Sequence, residues 1–226
     1  MRTVLSVASE CAPLVKTGGL ADVVGALPGA LAGQGWHMRV LIPAYPGILD
    51  RLEERETLWS APDLYGGRAD LVAGRAAGID ILALDAPHLF QRAGGPYAGP
   101  DGDWPDNPER FAALCQAARA VAAGGLSDGW QPEIVHAHDW QGGLAPAYLA
   151  YDGPLEVRTV LTIHNIAFQG MVPADRLGAL GLPQAAFTPD QLEYYGQIST
   201  LKAGLVTADA ITTVSPTYAN ELMRPE

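Results

Sequence analysis

With 226 residues, 48% of them apolar, and 26 Gly and 18 Pro spread along its length, the chain suits one large α/β domain and is not a disordered segment. Its formal net charge of −11 disfavours nonspecific binding to DNA, RNA or anionic membranes, all of which need clustered Lys and Arg. It leaves room for an anionic small molecule, because one local lysine or a helix N-terminus binds phosphate against the global sign.

Two cysteines, Cys11 and Cys115, are too few for a disulfide scaffold, and both read as small buried hydrophobes. No stretch approaches the ~20 apolar residues of a membrane span, and the N-terminus lacks the long apolar run of a signal peptide. A cytoplasmic protein is expected, with no membrane and no nucleic-acid partner.

In chain order, residues 4–8 form a short buried strand. Leu20, Val23, Val24, Leu27 and Leu31 then recur at helical spacing up to Gly33 and Gly35, with Pro28 predicted to kink the helix. Residues 40–43 are a second strand, residues 49–75 read as short strands and turns, and residues 79–84 are another strand. A long Gly/Pro/Asp-rich loop over residues 91–106 carries Tyr97 and Trp104, and loops of this length in compact domains are usually functional or disordered. Asn107 is the expected cap of a helix with Pro108 at its first position, running to Gly124 and Gly125.

Residues 133–138 are a strand, and the next helix starts near Asp139; residues 159–164 are a further strand. A helix over residues 198–207, a strand over 210–214 and a helix capped by Ser215 and Pro216 complete the series. No repeat or low-complexity linker interrupts it, so residues 1–226 are expected to form a single domain. Strands alternating with helices at this spacing predict an α/β fold with a doubly wound, mostly parallel, Rossmann-like sheet.

Ligands of such sheets bind outside the carboxyl ends of the strands. Following the predicted strands are Lys16-Thr17-Gly18-Gly19-Leu20, then His136-Ala137-His138-Asp139-Trp140, then His164-Asn165, and last Ser215-Pro216-Thr217. Four polar clusters are thus expected to rim one crevice. The glycine pair suits backbone N–H groups approaching an anion, with Lys16 adding a point charge; a tight turn with an exposed lysine fits the local sequence equally well. His136 and His138, two apart on a strand, share a face. That is metal-ligand spacing, although one core histidine and one at the crevice is the preferred reading. Asp139 reads as an N-cap. His164 and Asn165 suit sugar hydroxyls, and Tyr97 and Trp104 suit either stacking on sugar faces or anchoring of their loop.

The stretch Lys16-Thr17-Gly18-Gly19-Leu20-Ala21-Asp22-Val23-Val24-Gly25-Ala26-Leu27-Pro28 resembles the N-terminal signature of bacterial glycogen synthases and plant starch synthases. His136 through Gln141 with Ala145-Pro146-Ala147-Tyr148-Leu149, Thr162 through Gly170, and Thr213 through Ala219 are similar to three further motifs of that family, in the same order. The resemblance implies the N-terminal half of a GT-B retaining glycosyltransferase, in which glucose passes from ADP-glucose to the nonreducing end of an α-1,4-glucan such as glycogen or a maltooligosaccharide. It further implies that Lys16, with Gly18 and Gly19 beside it, contacts the donor diphosphate, and that Asp22 supports the Lys16 loop. His164 would lie against the transferring glucose, and Tyr97 and Asp139 would belong to the acceptor side. The family needs no metal, and no cofactor is expected.

The family's C-terminal nucleotide-binding domain is not in this sequence, so the chain is expected to fold but to be inactive alone. Two rival readings remain: a non-catalytic glucan-binding module, and a metal-dependent hydrolase using His136 and His138. Sucrose synthases are an alternative at the level of substrate.

Overall fold

Short runs of Val, Leu and Ile, too apolar to leave either face in water, set the central strands. The structure is a computed structural model that describes residues 2–153 and 156–224. It begins with β1 (Arg2–Val7), α1 (Gly19–Ala32) and β2 (Trp36–Pro43). Next come β3 (Glu53–Ala61), β4 (Ala69–Ala76), β5 (Ile79–Asp85), the single turn α2 (Pro87–Phe90), and a tiny hairpin of β6 (Ala98–Gly99) and β7 (Gly102–Asp103). Then follow α3 (Asn107–Gly124), β8 (Ile134–His138), α4 (Asp139–Gly142), α5 (Leu144–Tyr151) and β9 (Arg158–Ile163). Three short strands, β10 (Met171–Pro173), β11 (Glu193–Tyr194) and β12 (Gln197–Ser199), precede α6 (Thr200–Thr207), β13 (Ala210–Thr213) and α7 (Pro216–Leu222).

Eight strands make one sheet in the order β13-β9-β8-β1-β2-β5-β4-β3. Neighbours from β13 to β5 are parallel, whereas β4 and β3 add on antiparallel. The chain winds from β1 through β2 in one direction and from β8 through β9 to β13 in the other. β1 and β8 therefore flank the switch point, with Val7 in register with Ala137. This is the doubly wound, mostly parallel sheet that the alternation of elements predicted.

The core lies on both faces of the middle strands. Leu5, Val7, Val40, Leu41, Ile42, Leu82 and Leu84 are fully excluded from water. Alanine-rich α3 packs Ala112, Ala113, Ala117 and Ala118 at zero exposure, because a helix of small side chains approaches the other elements closely. Both cysteines are buried, and burial pushes each thiol up to about 12, which makes them unreactive packing groups.

Two local expectations give way to tertiary contacts. Residues 49–75 hold two long strands, β3 of 9 residues and β4 of 8, in place of short pieces. Register shifts in β3 break its two-residue period, and its exposed Glu53, Glu54, Arg55 and Glu56 protect an edge strand. Asn107 is not the cap of α3: Asp106 holds that position, while Asn107 Nδ2 donates to Tyr97 O at 2.8 Å and its Oδ1 accepts from Arg110 at 2.6 Å. Pro28 lies inside α1, which continues past it to Ala32. None of the described helices is long and apolar enough to cross a membrane.

Glycine sets the seat of α6. A Cβ on Gly143, between α4 and α5, would stand 2.1 Å from the carbonyl oxygen of Thr200, and one on Gly204 would stand 2.8 Å from Gly143 O. Gly143→Ala is expected to destabilise the chain by about 1–3 kcal/mol through this overlap. The loss would appear as a lower urea midpoint at unchanged slope. An unchanged midpoint would mean that α6 shifts freely.

Candidate active site

Beyond β1 the chain stays buried through Ala8, Ser9 and Glu10, then forms a Cys11–Val15 bridge. Arg51 holds this bend by donating to the carbonyls of Leu14 at 2.7 Å and Pro13 at 2.9 Å. The Lys16-Thr17-Gly18 segment that follows leads into α1, whose N-cap, Gly18, makes no side-chain cap bond. A Cβ at Gly18 or Gly19 would meet nothing within 4 Å, so the amino end of α1 opens onto free space. Unpaired first-turn N–H groups and the helix dipole favour an anion there.

Lys16 Nζ lies 2.7 Å from both carboxylate oxygens of Asp22, one turn into the helix. Both side chains are more than half exposed, so the pair is weak and its lysine is available to a stronger anionic partner.

Glu10, which sequence reasoning passed over, organises this end of β1. Its side chain is 2% exposed. It accepts from Thr17 Oγ1 at 2.6 Å, from the Thr17 backbone N–H, and from the Tyr97 hydroxyl. The Tyr97 hydroxyl also pairs with Ser9 Oγ at 2.7 Å, and its ring packs on Phe111 with centroids 5.9 Å apart. One buried carboxylate thus ties the long loop to the Lys16 turn. Trp104 anchors that same loop: its indole N–H donates to Gly95 O at 3.0 Å, and Arg92 lies over its ring at 5.1 Å. A glutamate two residues past the expected strand over 4–8 was the only signal of Glu10 in the sequence.

At the end of β8, Asp139 is buried and adopts φ +51, a left-handed conformation costly for a residue with a Cβ. It does not cap the following helix, as the sequence suggested. Its Oδ1 accepts from the backbone N–H groups of His164 at 2.7 Å and Asn165 at 3.3 Å, joining the end of β8 to the end of β9. Burial pushes its carboxyl up to about 6, against the lowering effect of those two hydrogen bonds.

Three histidines lie together beneath this junction. His136 stacks on His138 with centroids 4.4 Å apart and bonds Thr162 Oγ1 at 2.6 Å. His138 bonds Ser6 Oγ at 3.1 Å through Nε2 and His164 Nε2 at 3.0 Å through Nδ1. His138 has no exposed surface, whereas His136 on β8 and His164 just past β9 are half-buried. Burial pushes His136 and His164 down to about 4, with His164 adding to the effect on His136, and drives His138 well below the ordinary imidazole value. All three are neutral near pH 7. Among the described residues no group of three or more His, Cys, Asp or Glu side chains is arranged to hold a metal, and the imidazole bonds above go to Ser6, Thr162 and each other. The geometry therefore disfavours the hydrolase reading.

Asn165 is exposed, and its Oδ1 accepts from Ala167 N at 3.0 Å. The fourth cluster serves structure: Ser215 Oγ caps α7 through the Tyr218 N–H, and the Tyr218 hydroxyl accepts from Ile166 N at 2.9 Å. Thr217 of the same cluster is exposed.

A doubly wound domain with polar groups gathered at its switch point defines a Rossmann-like module of the GT-B kind. The chain belongs to the family of starch synthase catalytic domains, whose model matches residues 3–226. It is 67% identical over 223 residues to a glycogen synthase of Cereibacter sphaeroides, covering 99% of this chain and 47% of that protein. A glycogen synthase of Paracoccus denitrificans is 61% identical over 227 residues, covering 100% and 48%. In structure it is similar to the catalytic domain of Starch Synthase IV from Arabidopsis thaliana bound to ADP and acarbose, with TM-score 0.82 and 28% identity over 98% of this chain and 46% of that one. The chain spans about half the length of the curated relatives it matches.

The buried groups couple stability to pH with opposite signs. His136 and His164, depressed from 6.5 to about 4, bind fewer protons folded than unfolded, so stability is lost as pH falls across that window. Asp139, raised from 3.8 to about 6, opposes them, since its contribution falls as pH rises from about 4 to about 6. The histidines outnumber the carboxyl. A net loss on the order of 2 kcal/mol is expected between pH 6.5 and 4, with partly exposed His164 discounted for solvent screening. Urea midpoints against pH would read it, and Asp139→Asn is expected to make the loss steeper. A flat profile would contradict the buried histidine cluster.

Proposed function

We propose that this chain is the acceptor-side half of a glycogen synthase that transfers glucose from ADP-glucose to the nonreducing end of an α-1,4-glucan with retention of configuration. The observation that carries the reading is His164, held at the switch point by Asp139 and His138 beside the β1 end that leads to Lys16 and the open amino end of α1. Family membership and the relatives' names support the reaction class.

Glycosyl transfer of this kind passes through an oxocarbenium-like state while negative charge grows on the departing diphosphate. In this reading Lys16 leaves its weak pair with Asp22 to meet that charge, and the Gly18-Gly19 backbone approaches the phosphates because no side chain intervenes. Neutral His164 and the Asn165 amide hydrogen-bond sugar hydroxyls. Asp139 and the Glu10-tethered Tyr97 shape the acceptor side. The base of ADP is held by the second half of the enzyme, so the chain alone transfers no glucose. The reaction is placed in the cytoplasm, as in the opening expectation.

Calorimetric titration of the 226-residue chain with maltooligosaccharide and, separately, with ADP-glucose tests this division. Weak maltooligosaccharide binding with little ADP-glucose binding is expected. His164→Ala should weaken the sugar interaction about 5- to 10-fold, the worth of one hydrogen bond, while Lys16→Ala leaves it nearly unchanged. Tight ADP-glucose binding, or glucosyl transfer by the purified chain, would overturn the assignment of the nucleotide to the other half.

A further inference from the structure

Ser6, His138 and His164 belong to or directly follow three adjacent strands and form a continuous chain of hydrogen bonds, 3.1 Å from Ser6 Oγ to His138 Nε2 and 3.0 Å from His138 Nδ1 to His164 Nε2. Ser6 and His138 have no exposed surface. A neutral imidazole carries one N–H and one bare nitrogen, so the direction of one bond fixes the direction of the next.

Ser6 decides that direction. Among the described residues its hydroxyl has no partner other than His138. If His138 donated to Ser6, the serine proton would be buried without an acceptor, an arrangement native structures avoid. Ser6 therefore donates to His138 Nε2, which must be bare. The His138 proton then sits on Nδ1 and is donated to His164 Nε2. That nitrogen is bare in turn, so the His164 proton sits on Nδ1, which makes no hydrogen bond to any described residue.

We propose that Ser6 and His138 are positioning residues that fix His164 as its Nδ1–H tautomer, so that the crevice presents a hydrogen-bond donor to an oxygen lone pair of a bound sugar. A reversed chain would present an acceptor, and the same ring would then select a hydroxyl proton. Burial supports the arrangement, because a neutral ring is required at both links. The tautomer stands on contacts within the chain, whereas its use toward sugar rests on the function proposed above.

Long-range 1H–15N NMR of the 15N-histidine-labelled chain at pH 7 reads the tautomer directly. Free histidine in water favours the Nε2–H form. Here His138 and His164 are expected as Nδ1–H, their signals assigned by loss in His138→Gln and His164→Ala. Ser6→Ala, which removes the donor with little change in volume, should return both rings toward Nε2–H, and Ser6→Thr, which keeps the hydroxyl, should not. A wild-type His164 in the Nε2–H form would overturn the inference, and so would an unaltered Nδ1–H pair in folded Ser6→Ala. If Ser6→Ala fails to fold, the assigned wild-type spectrum decides. An Nδ1–H His164 whose signals ignore saturating maltohexaose would uphold the tautomer and refute its role toward sugar.

Discussion

The carboxylate of Asp139 reaches from the end of β8 to the backbone N–H groups that open the loop after β9, and the site depends on that bridge. Without it the peptide of His164 would have no fixed position past its strand, and its ring could not meet His138 end to end. The bridge is costly in two ways: the residue sits at φ +51 and its charge is partly stripped of water. Two backbone donors offset the second cost. Strain concentrated where two strands deliver functional side chains is the pattern expected of a site that the surrounding sheet over-determines.

A second buried carboxylate does comparable work across the switch point. Glu10 binds the Thr17 turn and the Tyr97 hydroxyl, so a segment expected to face phosphate and one expected to face glucan share a single anchor. The two parts differ in burial. Glu10 and Asp139 are enclosed by protein, whereas Lys16, Gly18 and Gly19 lie open and loosely paired. A buried floor with one exposed, weakly paired lysine above it suits a cleft that must admit a charged donor before it is aligned.

Much of this was legible in the sequence wherever the signal was local. The apolar runs of β1, β2, β5, β8, β9 and β13 mark their strands to within a few residues, and the strand-end rule brought forward Lys16, Asp139, His164 and Asn165. Illegible features were those set by distant partners. Asn107 and Asp139 look like caps by residue type, but Tyr97 and Arg110 claim the first and the His164 peptide claims the second. Glu10 stands 87 residues from Tyr97. β3 hid because its bulges and edge charges erase alternation. The role of Ser6 arises from a partner 132 residues away.

The central claim is that the sugar site lies where β1, β8 and β9 end. The most direct test is to map backbone amide shifts of the 15N-labelled chain while maltohexaose is titrated to saturation. The account predicts perturbations concentrated at Tyr97, Asp139, His164 and Asn165, with the β3 and β4 edge unmoved. Perturbations confined to another surface, with those amides silent at saturation, would contradict it.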